Sequence, residues 1–216
     1  MKSPEWKQHL SAAYDRHACE RERMEKQDWK EIERAHFHTR LQQEGAVSLL
    51  EIGAGTGRDS LFFAQTGYEV TSSDLSPRMV QLCREKGLQA EVMDFYKMTY
   101  PDGRFDAVYA LNCLLHVPKA DIVKVLLEIR RVLRPGGLFY MGVYGGPDSE
   151  GVWEEDAYEP KRFFSFYTDR SVQDVVGSFL EPVYFRVIPL AEGKPHFQSM
   201  IWRKPPRAGT FQIRTL

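Results

Sequence analysis

Between Val47 and Val143 the chain alternates short apolar runs with longer stretches in which apolar residues recur every three or four positions. The first pattern reads as buried strand and the second as amphipathic helix. Strands are expected over Val47–Ile52, Tyr68–Ser73, Ala90–Met93, Phe105–Leu111 and Leu138–Val143. Helices are expected between them, over Asp59–Gln65, Arg78–Lys86 and Asp121–Leu133. The last of these carries Ile122, Val125, Leu126, Ile129 and Leu133 along one side. Arg130, Arg131 and Arg134 sit at its carboxyl end, where the helix dipole favours cations. Ser76-Pro77 supplies an N-cap and a first-turn proline, Gly87 stops that helix, and Pro135-Gly136-Gly137 stops the next. Strands alternating with helices in this way make an α/β fold, a parallel sheet with helices on both faces.

The two ends depart from this rhythm. Residues 1–45 read as a helical lid or flank on a domain spanning 46–204. Ser3-Pro4-Glu5 is a helix start, and Trp6, Leu10, Ala13, Tyr14 and His17 follow at helical spacing. Cys19–Lys30 is mostly charged and reads as solvated; Trp29, Ile32, Phe37 and Leu41 then form a second apolar side that ends at Gly45. His36 and His38 do not share a helix face, and no metal site is expected. Beyond Tyr144-Gly145-Gly146-Pro147, residues 148–166 are acidic and aromatic together. They read as a long functional loop, since unstructured loops of this length are rare in compact domains. Thr168–Leu180 reads as a last helix. Val183–Ile188 and Phe197–Trp202 read as an antiparallel pair joined by a turn with Gly193 and Pro195. The tail, 205–216, is expected to be loose, with Phe211-Gln212-Ile213 as a candidate further strand.

Composition narrows the class. The length, 216 residues, suits one α/β domain, and the formal charge of −1 offers no basic surface for nucleic acid. Cys19, Cys83 and Cys113 are scattered, as expected of reduced thiols in a cytoplasmic protein. No apolar leader region and no run of membrane-spanning length is present, and a monomer or homodimer is expected.

The candidate chemistry lies where the first strand runs into Gly53-Ala54-Gly55-Thr56-Gly57. Such a turn lets a ligand lie against the main chain, and the following helix start offers free N–H groups. Ligands of open parallel sheets bind beyond the carboxyl ends of the strands; here those ends also carry Asp74, Asp94-Phe95 and Asn112. The dinucleotide fingerprint is G-x-G-x-x-G with an acid about 20 residues on. In this chain the third glycine comes one residue early, while Asp74 follows Gly53 by 21 positions. An acid there accepts from ribose hydroxyls and Asp94-Phe95 suits a purine, so the set points to an adenosine-bearing ligand without a pyrophosphate.

The motifs LLEIGAGTGRDS, SSDLSPRMV, Val92-Met93-Asp94-Phe95, FDAVYALNCLLHV and LRPGGLFYMGVY occur in order. Together they resemble the class I S-adenosylmethionine-dependent methyltransferases, in particular the small-molecule group with the ubiquinone and menaquinone enzymes. The resemblance implies a doubly wound, Rossmann-like, mostly parallel seven-stranded sheet with an antiparallel last strand. It implies S-adenosylmethionine as cofactor, S-adenosylhomocysteine as product, and methyl transfer to an O, N or S atom of a small molecule by in-line displacement. Carried over by position, Gly53, Ala54, Gly55 and Gly57 pass under the cofactor, with Glu51 or Arg58 at its amino-acid end. Asp74 takes the ribose, Leu75, Met79, Asp94 and Phe95 the adenine, and Leu111 and Asn112 the region of the sulfonium. His116 is the candidate general base and Tyr144 a candidate facing the acceptor. Tyr14, Trp29, Trp153, Tyr158, Arg162, Phe163 and His196 are candidates for the acceptor side. A peptide acceptor stays open. A nucleic-acid acceptor does not fit, because Asn112-Cys113-Leu114-Leu115 stands where amino-methyltransferases of RNA and DNA carry N/D-P-P-Y/F. The rival readings are a non-catalytic S-adenosylmethionine-binding protein and an NAD-dependent oxidoreductase.

Overall fold

A computed structural model describes residues 3–190 and 195–206; Gly193, the segment Phe211–Ile213 and the side chains of Ser3 and Pro4 lie outside the described residues. The elements are α1 (Ser3–Arg23), α2 (Asp28–Gln43), β1 (Ser48–Ile52), α3 (Arg58–Gln65), β2 (Glu69–Asp74), α4 (Pro77–Glu85), β3 (Gln89–Val92) and β4 (Phe105–Leu111). They continue with α5 (Ile122–Val132), β5 (Leu133–Tyr144), β6 (Ser149–Val152), β7 (Phe163–Phe166), α6 (Asp169–Gly177), β8 (Glu181–Ile188) and β9 (Phe197–Arg203). The main sheet runs β3-β2-β1-β4-β5-β9-β8. Strands β1 to β5 are mutually parallel. The last strand, β9, is antiparallel to both neighbours and lies between β5 and the edge strand β8. Strand order reverses between β1 and β4, and that switch point opens a crevice at their carboxyl ends.

The period-2 alternation of each strand divides the core. Leu49, Ala107, Tyr109, Leu138, Tyr140 and Ile201 face Phe37 and Leu41 of α2 and Phe63 of α3. Leu50, Ile52, Val108, Ala110, Phe139 and Met141 face the opposite way, onto α5 and α6. Helix α2 therefore belongs to the core of the domain. Its inward stripe is Glu33, Phe37 and Leu41, spaced four apart. Ile32, expected inside, is turned off that stripe and is 58% exposed. The buried Glu33 is tolerated because Ser199 Oγ (2.6 Å), Tyr184 Oη (3.3 Å) and Arg186 (3.2 Å) all donate to it.

Helix α1 lies across the strand ends. Asp15 accepts from Ser76 Oγ and from Arg78 N–H (3.0 Å), capping α4 from outside. Lys7 pairs with Asp94 at 2.6 Å and Glu22 with Lys86 at 2.9 Å. The stretch expected to be solvated has no buried residue and is mostly helix, and only a short link separates α1 from α2.

Two other expectations are revised. Strand β5 begins at Leu133, ahead of the glycines: Phe105 pairs with Leu133 and Ala107 with Leu138, so the intervening residues bulge out of register. Residues 148–166 are a hairpin, with β6 and β7 paired from Ser149–Phe166 to Val152–Phe163 in a separate two-stranded sheet. Its tip folds on itself, because Asp156 accepts from Arg162 Nε (2.8 Å), Nη2 (2.7 Å) and backbone N–H (3.1 Å). No helix among the described residues is long and apolar enough to cross a membrane.

Phe37 is fully buried against Phe63, Tyr109 and Tyr140. Phe37→Ala is expected to cost about 3–5 kcal/mol in urea unfolding of the whole domain. A cost below about 1 kcal/mol would make α2 a detachable flank.

Candidate functional site

The glycine turn is shaped by three different demands. All three glycines have positive φ: 61° at Gly53, 56° at Gly55 and 79° at Gly57. A Cβ on Gly53 would fall 2.3 Å from Cys113 Cβ, and one on Gly57 would fall 2.7 Å from Cys83 Sγ. These two permit close packing on the end of β4 and on α4. A Cβ on Gly55 would meet nothing within 4 Å; Gly55 is the open floor of the cleft. Asp74, at the end of β2, accepts from Gly55 N–H at 2.8 Å and from Ser76 N–H at 2.9 Å. Burial raises its pKa, and these two donors partly offset that.

Two cavities meet over this turn. The first is lined by Gly53, Gly55, Asp74, Leu75, Ser76, Phe95, Leu111, Asn112, Cys113 and His116, and by Leu10, Ser11, Tyr14 and Arg21 of α1. The second is lined by Glu51, Gly53, Ala54, Gly55, Thr56, Arg58, Asp59, Leu111 and Asn112, and by Arg21, Met24, Glu25, Lys26 and Lys30 from α1, α2 and their link. Arg21, Gly53, Gly55, Leu111 and Asn112 border both, so the two form one bent cleft. Glu51 is buried and accepts from Ser60 Oγ; burial, reinforced by Asp59, pushes its pKa up to about 8. Lys30 is pushed down to about 8, by burial first and then by Arg21 and Lys26. Asp59 is held by Lys26 and, at 3.0 Å, by Arg34. Asn112 adopts a φ of 55°, and its Oδ1 is buried without a hydrogen-bond partner among the described residues.

A chain of hydrogen bonds walls the first cavity. His116 Nδ1 lies 2.8 Å from the Phe163 carbonyl and must donate to it. Nε2 is then the acceptor, and the Tyr14 hydroxyl donates to it at 2.7 Å. Arg162 Nη1 donates to Tyr14 Oη at 3.1 Å. Burial lowers the His116 pKa to about 3 and raises that of Tyr14, so both are neutral at pH 7.

Of the residues expected at the cofactor, Glu51, Gly53, Ala54, Gly55, Arg58, Asp74, Leu75, Phe95, Leu111 and Asn112 border the cleft. Gly57, Met79 and Asp94 border neither cavity. Gly57 is the α3 N-cap, Met79 is buried beneath α1 with Ala18 and Leu82, and Asp94 holds Lys7 and accepts from Tyr96 N–H at 3.0 Å. Among the acceptor candidates, Tyr14, Tyr158, Arg162 and the Phe163 carbonyl come together. Tyr158 stacks on His17 at 4.0 Å and accepts from Arg21 at 3.1 Å. Trp29 and Tyr144 both pack on Phe197, at 4.3 and 5.6 Å. Trp153, 44% exposed, and His196, 2.7 Å from Asp169, lie on a separate outer groove of the hairpin. Sequence reading missed Arg21, Lys26 and Lys30 within a charged run. Position 21 nevertheless continues the stripe through Leu10 and Tyr14 along α1.

The neutral His116 sets a pH dependence. Its pKa is lower folded than unfolded, so the unfolded chain binds the extra proton and stability falls as pH drops from about 6.5 toward 3. NMR of the imidazole is expected to show an Nδ1–H neutral ring throughout pH 5–8; a titration midpoint near 6–7 would contradict the hydrogen-bond chain.

Residues 50–141 match the family model described as a methyltransferase domain. The chain is 34% identical to the demethylmenaquinone methyltransferase of Tropheryma whipplei over 103 residues, 46% of this chain and 42% of that protein. It is 35% identical to a sterol 24-C-methyltransferase of Gibberella zeae over 127 residues, 54% of this chain and 32% of that protein. It is 34% identical to the ubiquinone biosynthesis O-methyltransferase of Xanthomonas oryzae over 113 residues, 49% of this chain and 46% of that protein. The chain thus spans between about a third and a half of these relatives. In fold it is similar to the Burkholderia thailandensis 1,6-didemethyltoxoflavin-N1-methyltransferase, whose structure holds 1,6-didemethyltoxoflavin and S-adenosylhomocysteine. The TM-score is 0.75 at 22% identity, covering 95% of this chain and 91% of that one.

Proposed function

We propose that this chain, whose residues 50–141 match the model of a methyltransferase domain, moves a methyl group from S-adenosylmethionine to a nucleophilic atom of a small molecule. One observation carries the reading: Asp74 faces the open floor at Gly55. Each Asp74 oxygen accepts one backbone N–H. A carboxylate offers about four acceptor positions, so about two are left for a vicinal diol. The residues fit the rest of the cofactor as well. Leu75 and Phe95 offer apolar surface for a base, and the orphaned Asn112 Oδ1 wants a donor. The space is about 60 Å³ in one cavity and 170 Å³ in the other, and both open to solvent.

When bound, the cofactor's sulfonium supplies a methyl group already activated for displacement. The chain's residues then have to position the acceptor and keep water out. His116 is buried and its Nε2 is occupied by Tyr14. Protonating it at pH 7 against a pKa of about 3 costs about 5 kcal/mol. In this reading His116 holds Tyr14 in place and does not remove the acceptor's proton; Tyr14 Oη, fixed also by Arg162, is the polar group facing the cleft. The names of the relatives span carbon, oxygen and nitrogen acceptors. That fits a shared cofactor half joined to an acceptor half particular to each protein.

Asp74→Ala is expected to weaken S-adenosylhomocysteine binding by about 1–3 kcal/mol in calorimetry; an unchanged affinity would refute the ribose role. Incubating the protein with methyl-labelled cofactor and a cell extract is expected to label a low-molecular-weight product. Label confined to protein or nucleic acid would contradict a small-molecule acceptor.

A further inference from the structure

Every hydroxyl, thiol and imidazole proton in the lining of the first cavity is already committed to the protein. Ser11 Oγ donates to the Leu75 carbonyl at 3.2 Å, Ser76 Oγ to Asp15, and Cys113 Sγ to the Ile52 carbonyl at 3.3 Å. His116 Nδ1 donates to the Phe163 carbonyl, so Tyr14 Oη gives its one proton to Nε2 at 2.7 Å. Arg162 Nη1 takes one lone pair of Tyr14 Oη at 3.1 Å. The lone pair that remains can only accept. Arg21, the cation of this lining, donates to Tyr158 Oη at 3.1 Å, and its charge faces Asp74, whose pKa it lowers against the effect of burial.

The same wall holds no base for a protonated acceptor. Nε2 of His116 is filled by Tyr14, and burial lowers the His116 pKa to about 3. Burial raises the Cys113 thiol, which stays protonated at pH 7. Asp74 accepts two backbone N–H groups, and its remaining capacity is assigned to the ribose. Glu51 and Lys30, both with pKa shifted to about 8, border the second cavity and not the first. A hydroxyl, which must lose its proton during transfer, finds no partner on this wall. An anionic nucleophile would lie against the lone pairs of Tyr14 Oη and of the unpartnered Asn112 Oδ1.

We infer that the methyl acceptor is a neutral amine nitrogen that donates an N–H to Tyr14 Oη and turns its lone pair toward the sulfonium methyl. The inference rests on the methyl-transfer reading above and names the substrate class. The nitrogen lone pair forms the N–C bond as the S–C bond to the methyl breaks, and the electron pair of that bond stays on sulfur as a neutral thioether. The nitrogen becomes an ammonium that keeps its N–H, and one proton passes to water after release. No side chain has to take a proton, which suits a wall whose histidine stays neutral.

The test incubates the full chain with S-adenosylmethionine carrying a carbon-13 methyl group and the protein-free, small-molecule fraction of a cell extract, and reads the product by NMR. A methyl bonded to nitrogen is expected. Label on oxygen, sulfur or carbon overturns this inference and leaves the methyl-transfer reading standing. Absence of any labelled product overturns both. In Tyr14→Phe, formation of the labelled product is expected to slow by about tenfold, the scale of one hydrogen bond. Affinity for S-adenosylhomocysteine is expected to stay within about threefold. An unchanged rate in that variant, or an equal loss of S-adenosylhomocysteine binding, overturns the inference.

Discussion

The Asp74 carboxylate ties the site together. It ends β2, accepts from Gly55 in the turn after β1, and accepts from Ser76 at the start of α4. Those two bonds hold the glycine turn against the next strand at the point where sheet order reverses. Asp15 of α1 caps the same helix start from above. The glycine turn reaches Asp74 itself and α1 reaches the helix start beside it, so two elements distant in sequence converge around one half-buried acid. A partly desolvated carboxylate is stable only where donors surround it, and the protein supplies two of them from its backbone. The remaining acceptor capacity faces the cleft.

The two halves of the cleft have different origins. The half proposed for the cofactor is built by the turn, β2 and the end of β4, inside the segment that matches the methyltransferase domain. The opposite wall comes largely from outside that segment. Tyr14 and Arg21 belong to α1, Arg162 and the Phe163 carbonyl to the hairpin. His116 joins the halves, held by the hairpin on one ring nitrogen and by α1 on the other. Its low proton affinity follows from that enclosure, and so does its assignment as a positioning residue. Chemistry by displacement at an activated methyl asks for alignment more than for acid–base power, and alignment is the role proposed for this wall.

Sequence patterns revealed the sheet because each strand obeys one strong rule. Phe105–Leu111 is apolar at every position but Asp106, lies between turn signals and forms β4 at those limits. Ser76-Pro77 marks the start of α4 because the cap and the proline act locally, and Ser76 does accept from Met79 N–H. The failures came where tertiary contacts decide. Glu33 replaces Ile32 on the inner face because Ser199, Tyr184 and Arg186 are there to pair it, and none of them is near in sequence. The β6–β7 hairpin escaped notice because its strands are four residues long and their alternation is weak. Arg21 was hidden in a charged run; a cation facing a cleft and one facing water look alike until the helix is placed. Met79 shows the reverse case, since a residue at the right spacing for a ligand is covered by α1 instead.

The most direct test of the account is to titrate the intact protein with S-adenosylhomocysteine and with NADH side by side. Both carry an adenosine, but only NADH brings a pyrophosphate, which favours a longer glycine turn than this one. The account predicts saturable binding of S-adenosylhomocysteine that NADH does not displace. Tight binding of NADH, with S-adenosylhomocysteine unable to compete, would contradict it.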